Sequence, residues 1–532
     1  MNIPHWNPTR EKTPQEEAIF ARLTRNRKLF AFLRDHRHEI LDEGFQVELD
    51  AMYRGSGKTP VPPALMAMAV LLQGYVGASD AEAVELTVVD LRWQLVLGRL
   101  GAPTPAFSQG ALHKFRQRLI RTDMDRRLLE RTRELAQKTK EFDWKKLPES
   151  LRVAIDSRPL VGAGRVEDTF NLLGHAARKI AEGAAVLCER TFEDVCRRAG
   201  MPLLLASSVK AGVDVNWSDP EAKEDALNVL VEQVTSLSAW VARELPGLAV
   251  EEPLTRYIVA LAQVQAQDLE TSENGRTTIR QGVAVDRRIS IEDAEMRHGR
   301  KSKSKRFDGF KEHIATDLDT GLVTACAVTP ANRPEEEGAP PLAADMKNQG
   351  LSVGSLAIDR AYVNSSLVQE VLAAGGEVVC KPWAARNISG DFFTKADFKI
   401  NIRDRTITCP AGEVESFEFG RVVEFEPEAC GQCSRRSECT MSASGKGRTV
   451  KIAEDEQLQQ RLRKLQATGP GRERLRERTA VEHSLAHIAG RKGPRARYRG
   501  SRKNQFDLRR AATIQNLETI QRKQEEGACR AA

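Results

Sequence analysis

The chain has 532 residues, 41% of them apolar and 29% charged, with a formal net charge of +7. That length supplies material for about three or four domains with buried cores, and the composition excludes a disordered or fibrous chain. The longest apolar run, around Ala64 to Leu72, falls far short of the roughly 18 residues that a membrane span requires.

The opening MNIPHWNPTREK lacks the apolar centre of a signal peptide, so a cytoplasmic, reducing environment is expected, with the nine cysteines as thiols or metal ligands rather than disulfides. Residues 11 to 135 read as helical. PPALMAMAVLLQGYVG, DAEAVELTVVDLRWQLVLG and SQGALHKFRQRLI are apolar at helical spacing, and Ser79 and Ser108 are candidate N-caps. The last of these carries Lys114, Arg116 and Arg118, which fits a helical DNA-binding module or a dimerisation domain. Ahead of them, GSGKT at 55 to 59 copies the end of a nucleotide-binding P-loop. Met52 stands where the first glycine should be, and Pro60, Pro62 and Pro63 remove backbone donors where a phosphate-binding helix should begin, so no ATP site is expected.

LRVAID at 151 to 156 reads as a short apolar strand ending in a carboxylate. From about Arg165 to Glu270 the pattern is helical, and Leu227, Leu230, Val234, Leu237 and Val241 form one apolar face, as in an insert packed on itself. FKEHIATDLDTGLVTACAVTP then predicts two strands joined at Asp319, Thr320 and Gly321. LAADMKNQG (helix), SLAID (strand), SSLVQEVLAAGG (helix) and EVVCKP (strand) continue as a βαβ pattern. Residues 396 to 450 are a polar, cysteine-bearing insert, and basic helices follow.

Charge is concentrated in two places. Residues 471 to 510 hold 13 Lys/Arg against 4 Asp/Glu, a balance of +9 that leaves −2 for the rest, and RHGRKSKSKRFDGFK at 297 to 311 adds 7 Lys/Arg against 1 acid. Two such segments on a nearly neutral body point to a phosphate backbone.

VAIDSR and LAIDRA both drive an apolar strand into an aspartate, Asp156 and Asp359. A carboxylate at the end of a buried strand needs a compensating cation, and a magnesium ion held by few carboxylates, waters and substrate phosphates answers that need if the strands are neighbours. Glu482 in RERTAVEHSLAHIAGRK offers a third acid, with Arg478 one turn earlier on the same face. EHSLAH is not a zinc-protease helix, because its glutamate precedes His483 instead of following it. GAGRVE is not a dinucleotide fingerprint, since Glu167 replaces the third glycine. Cys409, Cys430, Cys433 and Cys439 have the spacing of a tetrahedral structural zinc site. Arg495, Arg497, Arg499 and Lys503 in GRKGPRARYRGSRKNQ are candidates for phosphate contact, and Tyr498 for stacking on a base.

These stretches resemble the DDE transposases of bacterial insertion sequences, in particular the insertion sequence 1182 group. The resemblance is strongest in AIDSRPLVGAGRVEDTFNLLGHA, RHGRKSKSKRFDGFKEHIATD, AIDRAYVNSSL and RTAVEHSLAHIAGRKGPRARYRGSRKNQ, and reaches into the N-terminal helices. It implies an α/β fold with an RNase H-like mixed sheet, and Asp156, Asp359 and Glu482 as an acidic triad holding two Mg²⁺ (or Mn²⁺) ions. It further implies cleavage and transfer of DNA strands, double-stranded element ends and target DNA as partners, and a homo-oligomer on DNA in the nucleoid. The Tyr-Arg-Glu-Lys signature of related enzymes is only partly present: Arg478 and Glu482 match, while Leu475 and Ala489 occupy the tyrosine and lysine positions, with Arg491 and Lys492 nearby. The expected organisation is a helical DNA-binding region at 1–140, the first core strand at 150–163, a helical insert at 164–275, more core at 276–395, a four-cysteine zinc insert at 396–450 and core-completing basic helices at 451–525. Arg478, Lys492, Arg495, Arg497, Arg499 and Lys503 are the expected DNA contacts. A nuclease without strand transfer, or a catalytically silent DNA-binding descendant, remains the alternative.

Overall fold

The computed structural model describes residues 3–23, 28–53, 58–139, 142, 150–247, 251–383, 392–442 and 445–531. Helix α1 (Pro63–Val76) is buried on all sides over most of its length, as its uninterrupted apolar sequence demands. Around it pack amphipathic helices, among them α2 (Gln109–Thr122), which turns Leu112, Phe115 and Leu119 inward, and α3 (Met124–Lys138). Ser79 and Ser108 both cap helices, accepting hydrogen bonds from the N–H groups of Glu82 and Ala111. Most of the GSGKT motif, residues 55 to 57, lies outside the described residues. The element before it is a helix, Glu43–Asp50, and the one after begins only at Pro63, so the strand-to-helix setting of a P-loop is missing. No single described helix is long and apolar enough to cross a membrane; Pro63–Val76 and Asp80–Val89 reach the threshold only as a pair bent by 104°.

The central sheet begins with β1 (Leu151–Val161). A helical insert follows, led by α4 (Thr169–Leu187), α5 (Pro220–Glu244) and α6 (Leu254–Asp268). Its core is its own, and the stripe Leu227, Leu230, Val234, Leu237 and Val241 is buried within it. The sheet resumes with β2 (Arg297–Arg300), β3 (Arg306–Asp317) and β4 (Val323–Pro330), then β5 (Val353–Ala357) and β6 (Glu377–Val379). β3 runs antiparallel to β1, with β2 and β4 on its other side; β5 pairs with β1 in parallel, and β6 with β5 in parallel. The basic segment 297–311 is therefore partly a hairpin, not a loop: β2 and β3 pair, and Arg300, Lys301, Lys303, Lys305 and Arg306 are exposed around its tip. The sequence pattern gave no sign of β2, because Arg-His-Gly-Arg has no apolar alternation.

Alternation along the strands sorts side chains to two faces. Leu151, Val153, Ile155, Leu356 and Ile358 meet helices Ala339–Asn348 and Ser366–Ala373. Ala154, Ala357 and Ile314 face the opposite way, onto α7 (Thr479–Lys492) and α8 (Ser501–Ala531). The cysteine-bearing insert is a small unit with three- and two-stranded sheets around Phe398, Ile407, Phe417, Phe425 and Ile452.

Helix α8 joins the N-terminal helices to the sheet through buried polar groups. The Asn516 amide donates to the Val323 carbonyl and the Thr132 hydroxyl, and accepts from the Val323 N–H. Arg509, only 3% exposed, binds Asp123 and Asp125 on one side and Asp345 on the other. Buried Asp507 meets Lys492 and Arg510. Burial alone would raise the Asp507 carboxyl, but these two cations outweigh it and hold the group at about 2, below the ordinary 3.8.

Two outcomes are expected. Arg509→Met leaves Asp345 buried without its cation and Asp125 with Arg502 alone, and should cost about 3–5 kcal/mol in urea unfolding; a loss near zero would show that the network is not structural. Because the folded Asp507 carboxyl lies below its unfolded value, its contribution is complete above pH 3.8 and is lost as pH falls through that value toward 2. Asp507→Asn should accordingly flatten the acid limb of the stability–pH curve, measured by thermal melting.

Candidate active site

In the β1–β5 pair Ala154 lies opposite Ala357. Two residues on, the same parallel register brings the chain to Asp156 on one strand and Asp359 just past the end of the other, with strands about 4.8 Å apart. By the two-residue period, Asp156 and Asp359 follow Ala154 and Ala357 to the face covered by α7. That helix carries Glu482, and Val481, Leu485 and Ile488 anchor it on the sheet while Glu482 stays exposed.

Arg478 ties two of the acids together. One guanidinium nitrogen lies 3.0 Å from Asp156 Oδ2, and the other donates to Glu482 Oε1. Asp156 also accepts the Ser157 N–H at 2.8 Å. Burial raises its carboxyl above the usual aspartate range; the Ser157 N–H and Arg478 work against that shift, and the charges of Glu482 and Glu335 add to it. Asp359 is exposed and caps the short turn Arg360–Tyr362, accepting the Arg360 N–H at 2.6 Å. The structure thus links Asp156 and Glu482 through Arg478, and the parallel register sets Asp359 beside the same stretch of β1, which runs on past Asp156 to Val161 and does not end at the aspartate as the sequence suggests. Among the described residues no group of three or more His, Cys, Asp or Glu side chains is set to hold a metal ion; between Asp156 and Glu482 the intervening cation is Arg478.

Further residues beside Asp156 carry no signal in the sequence pattern. Tyr362, three residues after Asp359, is fully buried, hydrogen-bonded to Ser157 and, at 2.6 Å, to His313 Nδ1. The other His313 nitrogen lies 2.9 Å from Thr329 Oγ1, and burial pushes the imidazole down to about 3, so it is neutral. Glu335, half-buried in the turn Glu335–Gly338, adds negative field at Asp156 and Tyr362. In the sequence it is one of three consecutive glutamates and looks like solvated surface.

The expected DNA contacts divide. Lys492 is buried, with Nζ 2.5 Å from Glu312 and 3.1 Å from Asp507, and so is not presented to a ligand. That is a correction: the helix turns it inward because Glu312, itself fully buried beside Arg158, needs a second cation. Arg499 pairs with Glu292 at the surface, and Arg478 is committed to the acids. Arg495, Arg497 and Lys503 are exposed with no carboxylate partner among the described residues. Their segment is strapped to the end of β1, where Val161 donates to the Pro494 carbonyl and accepts from the Ala496 N–H. That point is five residues, roughly 17 Å, beyond Asp156. Tyr498 packs edge-on against Phe506 and beneath Arg116 instead of standing free for a base.

Cys409, Cys430, Cys433 and Cys439 carry free thiols and line one cavity of about 30 Å³ with Phe393, Phe425 and Arg448. Burial raises the Cys439 thiol, Arg448 opposes the shift, and the other three cysteines add to it. His483 and His487 are exposed on α7 and line a separate groove with Tyr75, Gly77 and Arg491.

Comparison with known proteins bears on two segments. Residues 17–118 match the family model described as Transposase domain (DUF772), and residues 408–521 match that described as Transposase DDE domain. The second match contains Glu482 and Arg478 but stops short of Asp156 and Asp359. No curated protein and no solved structure matches the chain. The two family matches indicate a transposase function and support the DDE transposase family for this chain.

Proposed function

We propose that this chain is a DNA transposase of the insertion sequence 1182 group that cleaves DNA strands at the ends of its element and transfers them to a target. The observation that carries this reading is the parallel register that sets Asp359, just past the end of β5, beside the stretch of β1 that carries Asp156, under a helix whose Glu482 shares Arg478 with Asp156. The strand order β4-β3-β1-β5-β6, with β5 and β6 parallel to β1, supports an RNase H-like core.

The donor set, all carboxylate oxygens with Asp156 half-buried, has the chemistry that hard divalent cations take, and they would bind only once Arg478, the present counter-charge between Asp156 and Glu482, withdraws. Magnesium or manganese held by Asp156, Asp359 and Glu482 would supply Lewis-acid activation of the attacking oxygen and stabilise the leaving one. The protein's own part is positional. Ser157, Tyr362 and His313 tie the middle of β1, where Asp156 sits, to the turn bearing Asp359, and the neutral imidazole lets that tie lie in the core. Arg478, once released from the carboxylates, keeps its charge for a DNA phosphate. Exposed cations on the 300–306 tip and on the strap at 495–503 would hold the backbone on either side. Strand transfer exchanges one phosphodiester for another, so the reaction needs no ATP. Duplex DNA in the bacterial nucleoid is then the substrate, bound by more than one copy of the chain. In the cysteine insert we propose one structural zinc on Cys409, Cys430, Cys433 and Cys439, supported by four unpaired thiols on one small cavity within a core of few apolar residues.

Two experiments test this. Asp156→Asn should reduce strand cleavage on the order of 10³-fold or more in a gel assay on element ends with magnesium. Its stability should move the other way. A carboxyl raised by burial destabilises the fold as pH rises through the raised value, so at pH near 7 the neutral variant should melt no lower than the parent. Cleavage that survives, in Asp156→Asn or in Asp359→Ala, removes that residue from the site; pre-cleaved ends that are not joined to target would make the chain a nuclease only. Freshly purified protein should contain one zinc per chain, released by a thiol-modifying reagent with loss of the melting transition of the 396–450 unit. Absence of zinc would remove the metal and leave the acids untouched.

A further inference from the structure

The chain has nine histidines, and all but two engage a neighbouring group, as His5 does with Glu43 and Asp50, His175 with Glu167 and His298 with Asp308. The exceptions are His483 and His487, which are exposed and have no hydrogen-bond or ion-pair partner among the described residues. They stand four residues apart on α7, so one imidazole lies above the other, with Cβ atoms about 5–6 Å apart. Both rings line the same open groove, about 650 Å³, between α7 and the C-terminal end of α1.

The surroundings leave these two rings as the groove's free donors. Ala486 and Gly490 complete the wall that α7 contributes, and neither has a side chain that could crowd an imidazole. Val481, Leu485 and Ile488 are turned inward, and Glu482, the one acid on α7, is bound to Arg478. Arg491 faces the groove as well, but Glu518 binds its guanidinium at 2.6 Å and holds its charge in check, while the Tyr75 ring packs against it. Arg497, whose guanidinium reaches Gly77, keeps its charge and opposes a cation in the groove, which limits the affinity without removing the donors.

A neutral imidazole offers one nitrogen lone pair to a metal, and two of them one turn apart on a helix grip a single ion between them. Imidazole nitrogen selects borderline transition ions, whereas carboxylate oxygen selects hard ones such as magnesium. We propose that His483 and His487 chelate one transition ion of the zinc, nickel or copper(II) class, with water completing its coordination. Two protein ligands make an open site, so the ion is held reversibly, at micromolar concentration, and is not a structural centre of the kind four cysteines build. The site is distinct from the acids in donor chemistry and in direction, and it does not rest on the transposase reading. Its place gives it a consequence: an ion there staples the turn that begins directly after Glu482, so the helix carrying that acid responds to a metal other than the one the acids would take.

The test titrates nickel into the full-length chain by calorimetry. Zinc loading followed by gel filtration first fills the cysteine insert and removes loosely held metal, and magnesium in large excess occupies carboxylates without competing for imidazole. The parent should bind nickel at one such site with micromolar affinity. His483→Gln and His487→Gln, at exposed positions where glutamine is a good helix former, should each weaken that binding by about 10- to 100-fold. Absence of saturable binding by the parent overturns the proposal. Binding within about threefold of the parent in both variants, or a loss confined to one of them, overturns it equally, because a chelate needs both rings. A second measurement needs no variant: in diethylpyrocarbonate labelling read by mass spectrometry, nickel should protect His483 and His487 together and leave exposed His298 reactive. Equal labelling of the pair with and without nickel would refute the site. Every readout here is metal binding, so the outcome stands whether or not Asp156→Asn abolishes cleavage.

Discussion

Pairing of buried carboxylates with cations brought from the C-terminal third is the constraint on which this structure depends. Glu312 is fully buried in a central strand, where an isolated carboxylate would be too costly, and Arg158 and Lys492 make it tenable. Asp507 draws on the same lysine and on Arg510, and Arg509 answers Asp123, Asp125 and Asp345 at once. These pairs join three parts distant in sequence: the N-terminal helices, the sheet, and α7 with α8. The same principle places the candidate site, since α7 can present Glu482 and Arg478 to Asp156 only while its inner face and Lys492 are held against the sheet.

Much of this was legible in the sequence because period and position agree. The stripe from Leu227 to Val241 could only be a buried helical face, and the alternation around Gly321, whose φ is 76°, could only be a hairpin. Asp156 and Asp359 stood out because a charged residue after an apolar strand segment needs a reason; only Asp359 follows a strand end, whereas β1 runs on to Val161 and holds Asp156 within it, beside the end of β5. What the sequence concealed was partnership. Lys492 and Arg495 are alike on the page, three residues apart in one basic run, yet one is buried between two acids and the other is exposed. Their difference is set by Glu312 and Asp507, and nothing local to the run encodes it. Tyr362 and Glu335 were hidden for the same reason: a buried tyrosine and a glutamate in a charged turn acquire meaning only from the side chains the fold sets beside them.

Local motifs that imitate function fail on context here. GSGKT is followed by prolines and preceded by a helix, so the strand and the helix N-terminus that would cradle phosphate are both lacking. The histidines of EHSLAH do stand one turn apart and exposed, but the glutamate beside them is turned to Arg478 and Asp156, not to a metal shared with the imidazoles.

The role of Arg478 follows from the order in which charge must be satisfied. Asp156 is half-buried, and burial already disfavours its anion; Glu482 and Glu335 deepen the penalty. A fold that assembles such a site before any substrate arrives needs a cation present from the start, and it must be one that can leave. An arginine at the N-cap of the helix that carries Glu482, one turn away and still partly exposed, meets both conditions: it is near enough to bridge the two acids and tethered only by its own side chain. A lysine buried like Lys492 could neutralise the pair but could not withdraw without opening the core. The contrast between these two cations at the two ends of α7, Arg478 at its N-cap on a rim and Lys492 in the interior, separates the charge that holds the protein together from the charge that the proposed reaction can use.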